Sequence, residues 1–119
     1  MTKERQHTGR TGEHIACDFL KEQGYSIVER NHRSRLGEID IVAEHREYLV
    51  FCEVKTRRSR AGLHPSLSVT AKKIEKLRML GENYLSQKHL MHLQPRFDVI
   101  AVQLAGKTPP DIDHFVNAF

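Results

Sequence analysis

The chain has 119 residues, a formal charge of +4 and a sequence pI near 9.3. That length suits one domain, residues 1–119, able to bury a core without disulfides or a structural metal, and 39% hydrophobic with 29% charged residues excludes fibrous and disordered classes. The longest apolar run, residues 48–52, is far too short to cross a bilayer, and the polar, basic stretch 1–10 argues against a signal peptide, so a cytoplasmic protein with no membrane partner is expected.

Ile15, Ala16, Phe19 and Leu20 recur at helical spacing and predict a helix from about residue 9 or 11 to residue 23. Thr8 or Thr11 can cap its start, and Gly24 is placed to end it. Tyr25, Ile27 and Val28 open an extended segment reaching Arg33, and Leu36 with Gly37 marks a turn. Ile39, Ile41 and Ala43 alternate with Glu38, Asp40 and Val42, which is the period of a strand. A second strand follows at residues 48–55, rich in β-formers, and the short polar link 44–47 predicts an antiparallel hairpin. Residues 57–68, with Gly62 and Pro65, read as a loop. Ile74, Leu77, Leu80, Tyr84 and Leu85 form one face of a helix over 70–87. Residues 96–104 are apolar on both faces and predict a strand buried on both sides. Pro109 and Pro110 lead to a short terminal segment, 112–119. Helix, three strands, helix, one or two strands is the order of an α/β or α+β domain with a mixed sheet and flanking helices.

Cys17 and Cys52 each sit inside an apolar pattern, with no second cysteine nearby. Such thiols read as buried small hydrophobes rather than a disulfide or zinc ligands.

The chemistry centres on Glu53, Val54 and Lys55. Residues i and i+2 of a strand share a face, so Glu53 and Lys55 emerge together. If the hairpin pairs Ala43 with Tyr48, Glu38 faces Glu53 and Asp40 lies diagonally beside it; a slip of two residues puts Asp40 opposite Glu53 instead. Either register collects carboxylates and one ammonium on a small surface. Facing like charges destabilise a sheet unless something compensates. A hard divalent cation such as Mg²⁺ or Mn²⁺ does so through oxygen ligands, and it would serve phosphodiester hydrolysis. Arg30, Arg33 and Arg35 precede the first acidic strand, Arg57, Arg58 and Arg60 follow the second, and Lys72, Lys73, Lys76 and Arg78 come soon after. Such cations suit a nucleic-acid backbone. The plainer alternative is a salt-bridged polar face on an exposed hairpin, since an isolated E-x-K triplet is common by chance.

A wider pattern carries a resemblance. G-R-T-G-E at 9–13, R-N-H-R at 30–33, G-E-I-D at 37–40, F-C-E-V-K-T-R at 51–57, R-F-D-V at 96–99 and the ending N-A-F look together like the YraN family. Those bacterial proteins are similar to the restriction-endonuclease-like (PD-(D/E)xK) superfamily and, within it, to archaeal Holliday-junction resolvases. The resemblance covers nearly the whole chain. It implies an α/β fold with a restriction-endonuclease-like mixed central sheet flanked by helices, and a catalytic set of Asp40, Glu53 and Lys55. It also implies metal ligation by Asp40, Glu53 and Glu13, with Glu13 on the first helix, although a first-turn glutamate is favoured by the helix dipole in any case. Arg10 matches a phosphate-facing position. Cys52 stands where an aliphatic residue is common.

Arg33, Arg35, Arg57, Lys72 and Lys73 complete the expected nucleic-acid contacts, the two lysines at a helix N-terminus. His89 and His92 form an isolated pair without further ligands at zinc-like spacing, so a surface role is expected. Asp98 reads as a structural hydrogen-bonding group or a group behind the metal ligands. With 7% aromatic residues and no Trp, a stacking platform for single strands is unsupported. The expectation is a Mg²⁺- or Mn²⁺-dependent endonuclease acting on structured or branched DNA, with a homodimer suggested by the two-fold symmetry of a junction. The alternatives are a nucleic-acid-binding module with little catalysis, or a protein-interaction component of a DNA repair or uptake pathway.

Overall fold

The computed structural model describes the backbone of residues 3–57, 70–104 and 109–119, with side chains from residue 11 onward. The expected loop 57–68 lies almost entirely outside the described residues, as do residues 105–108 ahead of the terminal segment. The elements are α1 (Lys3–Glu22), β1 (Ser26–Ser34), β2 (Gly37–His45), β3 (Tyr48–Arg57), α2 (Ala71–Gln87), β4 (Gln94–Gln103) and β5 (Asp111–Phe115). They form an α/β architecture, a five-stranded mixed sheet in the order β1-β2-β3-β4-β5. All neighbours are antiparallel except β3 and β4, which run parallel. The antiparallel pairs β1–β2 and β2–β3 join by two-residue turns, whereas the parallel pair needs the crossover that contains α2.

The helices cover opposite faces. On β3, Val50 and Cys52 pack into a cluster with Ala16, Cys17 and Leu20 of α1. Leu49 and Phe51 point the other way, into a cluster with Leu77, Leu80 and Tyr84 of α2. Alternation along the strand therefore divides one sheet between two cores. Leu20, Ile41, Val50 and Ile100 are fully buried, and each such side chain contributes about 1.5–3 kcal/mol. Residues 96–102 of β4 are buried throughout, as expected for a strand covered on both faces. Cys17 and Cys52 are free, buried thiols. Among the described residues no helix is long and apolar enough to cross a membrane.

The hairpin corrects one expectation. Glu44 and His45 continue β2, leaving only Arg46 and Glu47 in the turn, with Arg46 at φ +57°. The register is Ala43 with Val50 and Ile41 with Cys52. It is shifted by two residues from the pairing of Ala43 with Tyr48. The tight turn is the reason: a left-handed residue at its first position lets the strands reverse at once. Parity is preserved, and the next step of this register would set Asp40 against Glu53, but the pairing ends before it.

At that point the two strands part. Pairing between β2 and β3 ends at Ile41 and Cys52. β2 stays paired with β1 as far as Gly37, and β3 stays paired with β4 as far as Arg57. Ile41 belongs to the α1-side core and Ile39 to the α2-side core, so alternation breaks at Asp40. The sheet opens there into a fork, with β2 on one arm and β3 on the other.

Candidate active site at a fork in the sheet

Opening a ladder leaves backbone donors without partners, and a half-buried N–H needs one. Asp40 supplies it: the Val54 N–H donates to Asp40 Oδ2 at 2.8 Å. The side chain stands in for the missing β2 carbonyl and ties the two arms together. Burial and the charge of Glu53 push the Asp40 carboxyl up from 3.8 to about 7, with Glu13 and Glu38 adding to the rise and the Val54 bond opposing it.

Glu53 lies on the facing arm with its side chain 11% exposed, and two ammonium groups converge on its Oε1. Lys73 Nζ of α2 is 2.6 Å away and Lys55 Nζ is 3.5 Å away. Burial and the neighbouring Lys73 lower the pKa of Lys55, while Glu53 works against that shift. Burial opposes the charge on Lys73 most strongly, but its contacts with Glu53 and Lys55 and the charges of Glu53 and Asp40 together raise its pKa. Lys73 is placed by a helix cap, since its backbone N–H donates to Thr70 Oγ1 at 3.2 Å.

Glu13 enters from α1. Gly12, just before it, has no side chain; a Cβ there would overlap Thr56 Oγ1 and stand 2.9 Å from Thr56 Cβ. The helix can lie against β3 at this point only because the residue is glycine, and that approach carries Glu13 to the fork. Burial raises the Glu13 pKa, Asn31 lowers it by a hydrogen bond, and Glu38 raises it further.

Glu13, Glu38 and Asp40 offer oxygens that all lie within 4.8 Å of one another. Three oxygens around one hard cation, each at about 2.0–2.6 Å, fall within such spacings. The metal set expected from sequence was Asp40, Glu53 and Glu13. The structure gathers Asp40 and Glu13, adds Glu38, and turns Glu53 toward two lysines.

A cleft of about 490 Å³ opens beside the fork, with Glu38, Asp40 and Glu53 on the sheet side and Lys72, Lys73 and Lys76 on the α2 side. Arg33 lies at the rim, with Nε 3.9 Å from Glu38 Oε1. Arg35 and Arg57 are exposed and outside the cleft lining. The Arg10 side chain lies outside the described residues. Gly12, the ligand-like place of Glu38 and the Lys73–Glu53 contact escape sequence reasoning. Lys72, Lys73 and Lys76 at the start of the second helix were read from sequence as phosphate contacts, and the structure places them along the cleft.

Asp98 has no place at the fork. It is fully buried on the α1 side and accepts from Arg96, His114 and the Asn117 N–H. His89 and His92 are exposed, and neither joins a ligand-like set among the described residues.

The sequence profile of the uncharacterised protein family UPF0102 matches residues 12–102, which takes in both arms of the fork and all of α2. YraN is this same family. A UPF0102 protein of Syntrophotalea carbinolica is 44% identical over 119 residues, covering 100% of this chain and 96% of its own. One of Pelobacter propionicus is 47% identical over 118 residues, 98% of this chain and 84% of its own. Another, of Caldanaerobacter subterraneus, is 37% identical over 117 residues, 97% and 96% of the respective chains. The similarity is therefore end to end rather than confined to the E-x-K strand.

Proposed function

The chain belongs to the uncharacterised protein family UPF0102, and we propose that it is a Mg²⁺- or Mn²⁺-dependent endonuclease of restriction-endonuclease-like fold, hydrolysing phosphodiester bonds in branched or otherwise structured DNA. One observation carries this reading. Asp40 and Glu53 line one cleft where the sheet opens, and the Asp40 carboxyl is pushed to about 7 by burial and by the charge of Glu53. A cluster of acids that raises its own pKa in a cleft is a candidate functional site on physical grounds.

The donor set fits a divalent cation: Glu13, Glu38 and Asp40 would hold it through hard oxygens. Bound there, it supplies positive charge to a phosphate and makes water more acidic. The rest falls to the chain's own groups. Lys55, fixed on β3 beside Glu53, stabilises charge that develops on the phosphate. Lys72 and Lys76 on the cleft wall and Arg33 at its rim hold neighbouring phosphates. A two-fold dimer would present two such clefts to a four-way junction.

The test is cleavage of labelled branched duplexes with and without Mg²⁺ or Mn²⁺. Turnover requires the metal, and Lys55→Ala and Asp40→Asn each lower it by about 10²–10³-fold, the size of effect seen when a charge-stabilising donor is removed. Cleavage that persists in both variants would sink the assignment. A second reading, a DNA-binding module without turnover, is favoured by the Lys73–Glu53 contact, which occupies the carboxylate that the reaction needs. Salt-sensitive binding with no cleavage of any branched substrate would select it.

A further inference from the structure

The two cations on Glu53 differ in their freedom. Lys55 is a β3 residue paired with Ala101 of β4, and its side chain is 20% exposed. Lys73 reaches in from the other wall of the cleft, and its side chain is 39% exposed. Its backbone is held at the helix start by Thr70, so the ammonium can swing on its four-carbon stem while α2 stays in place. It lies between Lys72 and Lys76, on the wall that faces any strand entering the cleft.

Facing carboxylates destabilise a pair of strands until a positive charge comes between them. In the protein alone Lys73 provides that charge, and a divalent cation at the fork would make it redundant. We propose, on the strength of the metal-site reading above, that Lys73 is a positioning residue that exchanges partners. Without metal it neutralises Glu53, and when a divalent cation binds it leaves Glu53 for a phosphate of the incoming DNA strand. Metal and DNA then support each other's binding, because the metal releases a cation that the DNA takes up. Glu53, freed in the same event, becomes able to turn toward Asp40.

The exchange predicts opposite effects on two ligands, which a merely structural lysine would not produce. Mn²⁺ binding is followed by loss of the free-ion electron paramagnetic resonance signal in wild type, Lys73→Gln, Lys73→Arg and Asp40→Asn. Lys73→Gln should bind Mn²⁺ up to about fivefold more tightly, the factor that a part-exposed ion pair can withhold. In Ca²⁺ buffer the same variant should bind a branched duplex several-fold more weakly, with a salt slope smaller by about one. Lys73→Arg should stay near wild type in both. If Lys73→Gln leaves Mn²⁺ affinity unchanged or weaker, or leaves DNA affinity unchanged, the exchange is overturned while the fork survives as a metal site. If wild type takes up no Mn²⁺, or Asp40→Asn takes up as much as wild type, the metal-site reading fails and the exchange with it.

Discussion

On the α1 side of β4, fully buried Asp98 has donors on both oxygens. Arg96 Nε and the Asn117 N–H reach Oδ1 at 3.0 and 2.9 Å, and Arg96 Nη2 and His114 Nε2 reach Oδ2 at 2.8 and 2.7 Å. The Arg96 guanidinium is placed between the rings of Tyr25 and Tyr48, 5.6 and 5.1 Å from their centroids, and also donates to the Tyr25 hydroxyl. At the fork, Asp40 is less enclosed, accepts the Val54 N–H, and lies among other carboxylates. Burial raises both pKa values, yet the Asp98 carboxyl ends below its ordinary value and Asp40 well above. Partners, not depth, decide the sign. The Arg96–Asp98 network is complete within the chain and belongs to stability, whereas at the fork the lysines reach Glu53 and Asp40 is left among carboxylates.

The largest effect that separates the two regions is expected from Asp98→Ala. Removing one member of a buried, hydrogen-bonded pair leaves Arg96 uncompensated and should cost about 3–5 kcal/mol in urea unfolding. A loss below about 1 kcal/mol, the scale of a surface pair, would break the contrast.

Asp40→Asn should move stability the other way. The amide keeps an acceptor for the Val54 N–H and removes the charge. A carboxyl raised from 3.8 to about 7 corresponds to about 2–4 kcal/mol at pH 7.5, allowing for water in the open cleft. The pH dependence follows from proton counts. Between 3.8 and about 7 folded Asp40 binds more protons than unfolded, so its penalty is absent below that window, grows through it and is complete above. The gain from Asp40→Asn should therefore shrink to nothing by pH 4. Asp98 has a lowered pKa, so its contribution is present above the unfolded value and fades as pH falls below it. Parallel pH profiles for Asp40→Asn and Asp98→Asn would contradict the comparison.

Gly12→Ala is expected to be smaller, about 1–3 kcal/mol from overpacking against Thr56. It shifts Glu13 at the fork without touching the Asp98 network. Mn²⁺ affinity should fall in this variant, and unchanged affinity in a destabilised protein would show that Glu13 is not a ligand.

Much of this architecture could be read from the chain. The stripe of Ile15, Ala16, Phe19 and Leu20 located α1, although the helix begins earlier, at Lys3. The apolar face of Ile74, Leu77, Leu80, Tyr84 and Leu85 located α2, and a doubly apolar pattern located β4. Asp40, Glu53 and Lys55 were visible because strand parity and an E-x-K spacing are local properties. The exact register was not. Two pairings of equal parity satisfy the same hydrophobic pattern, and only the two-residue turn at Arg46 and Glu47 chose between them.

Sequence by itself determined which residues share a strand face, which helices are amphipathic, and that acids and bases alternate along the chain around residues 30–76. Each follows from periods of two or 3.6 residues, which the backbone imposes on any neighbouring side chains. Tertiary structure decided where pairing stops, that Asp40 replaces a missing carbonyl at Val54, and that Glu13 and Lys73 arrive from opposite helices. Those relations join residues many positions apart. They depend on how closely α1 can approach Thr56 over Gly12 and on how α2 packs across the sheet, distances set by the cores and not by spacing along the chain.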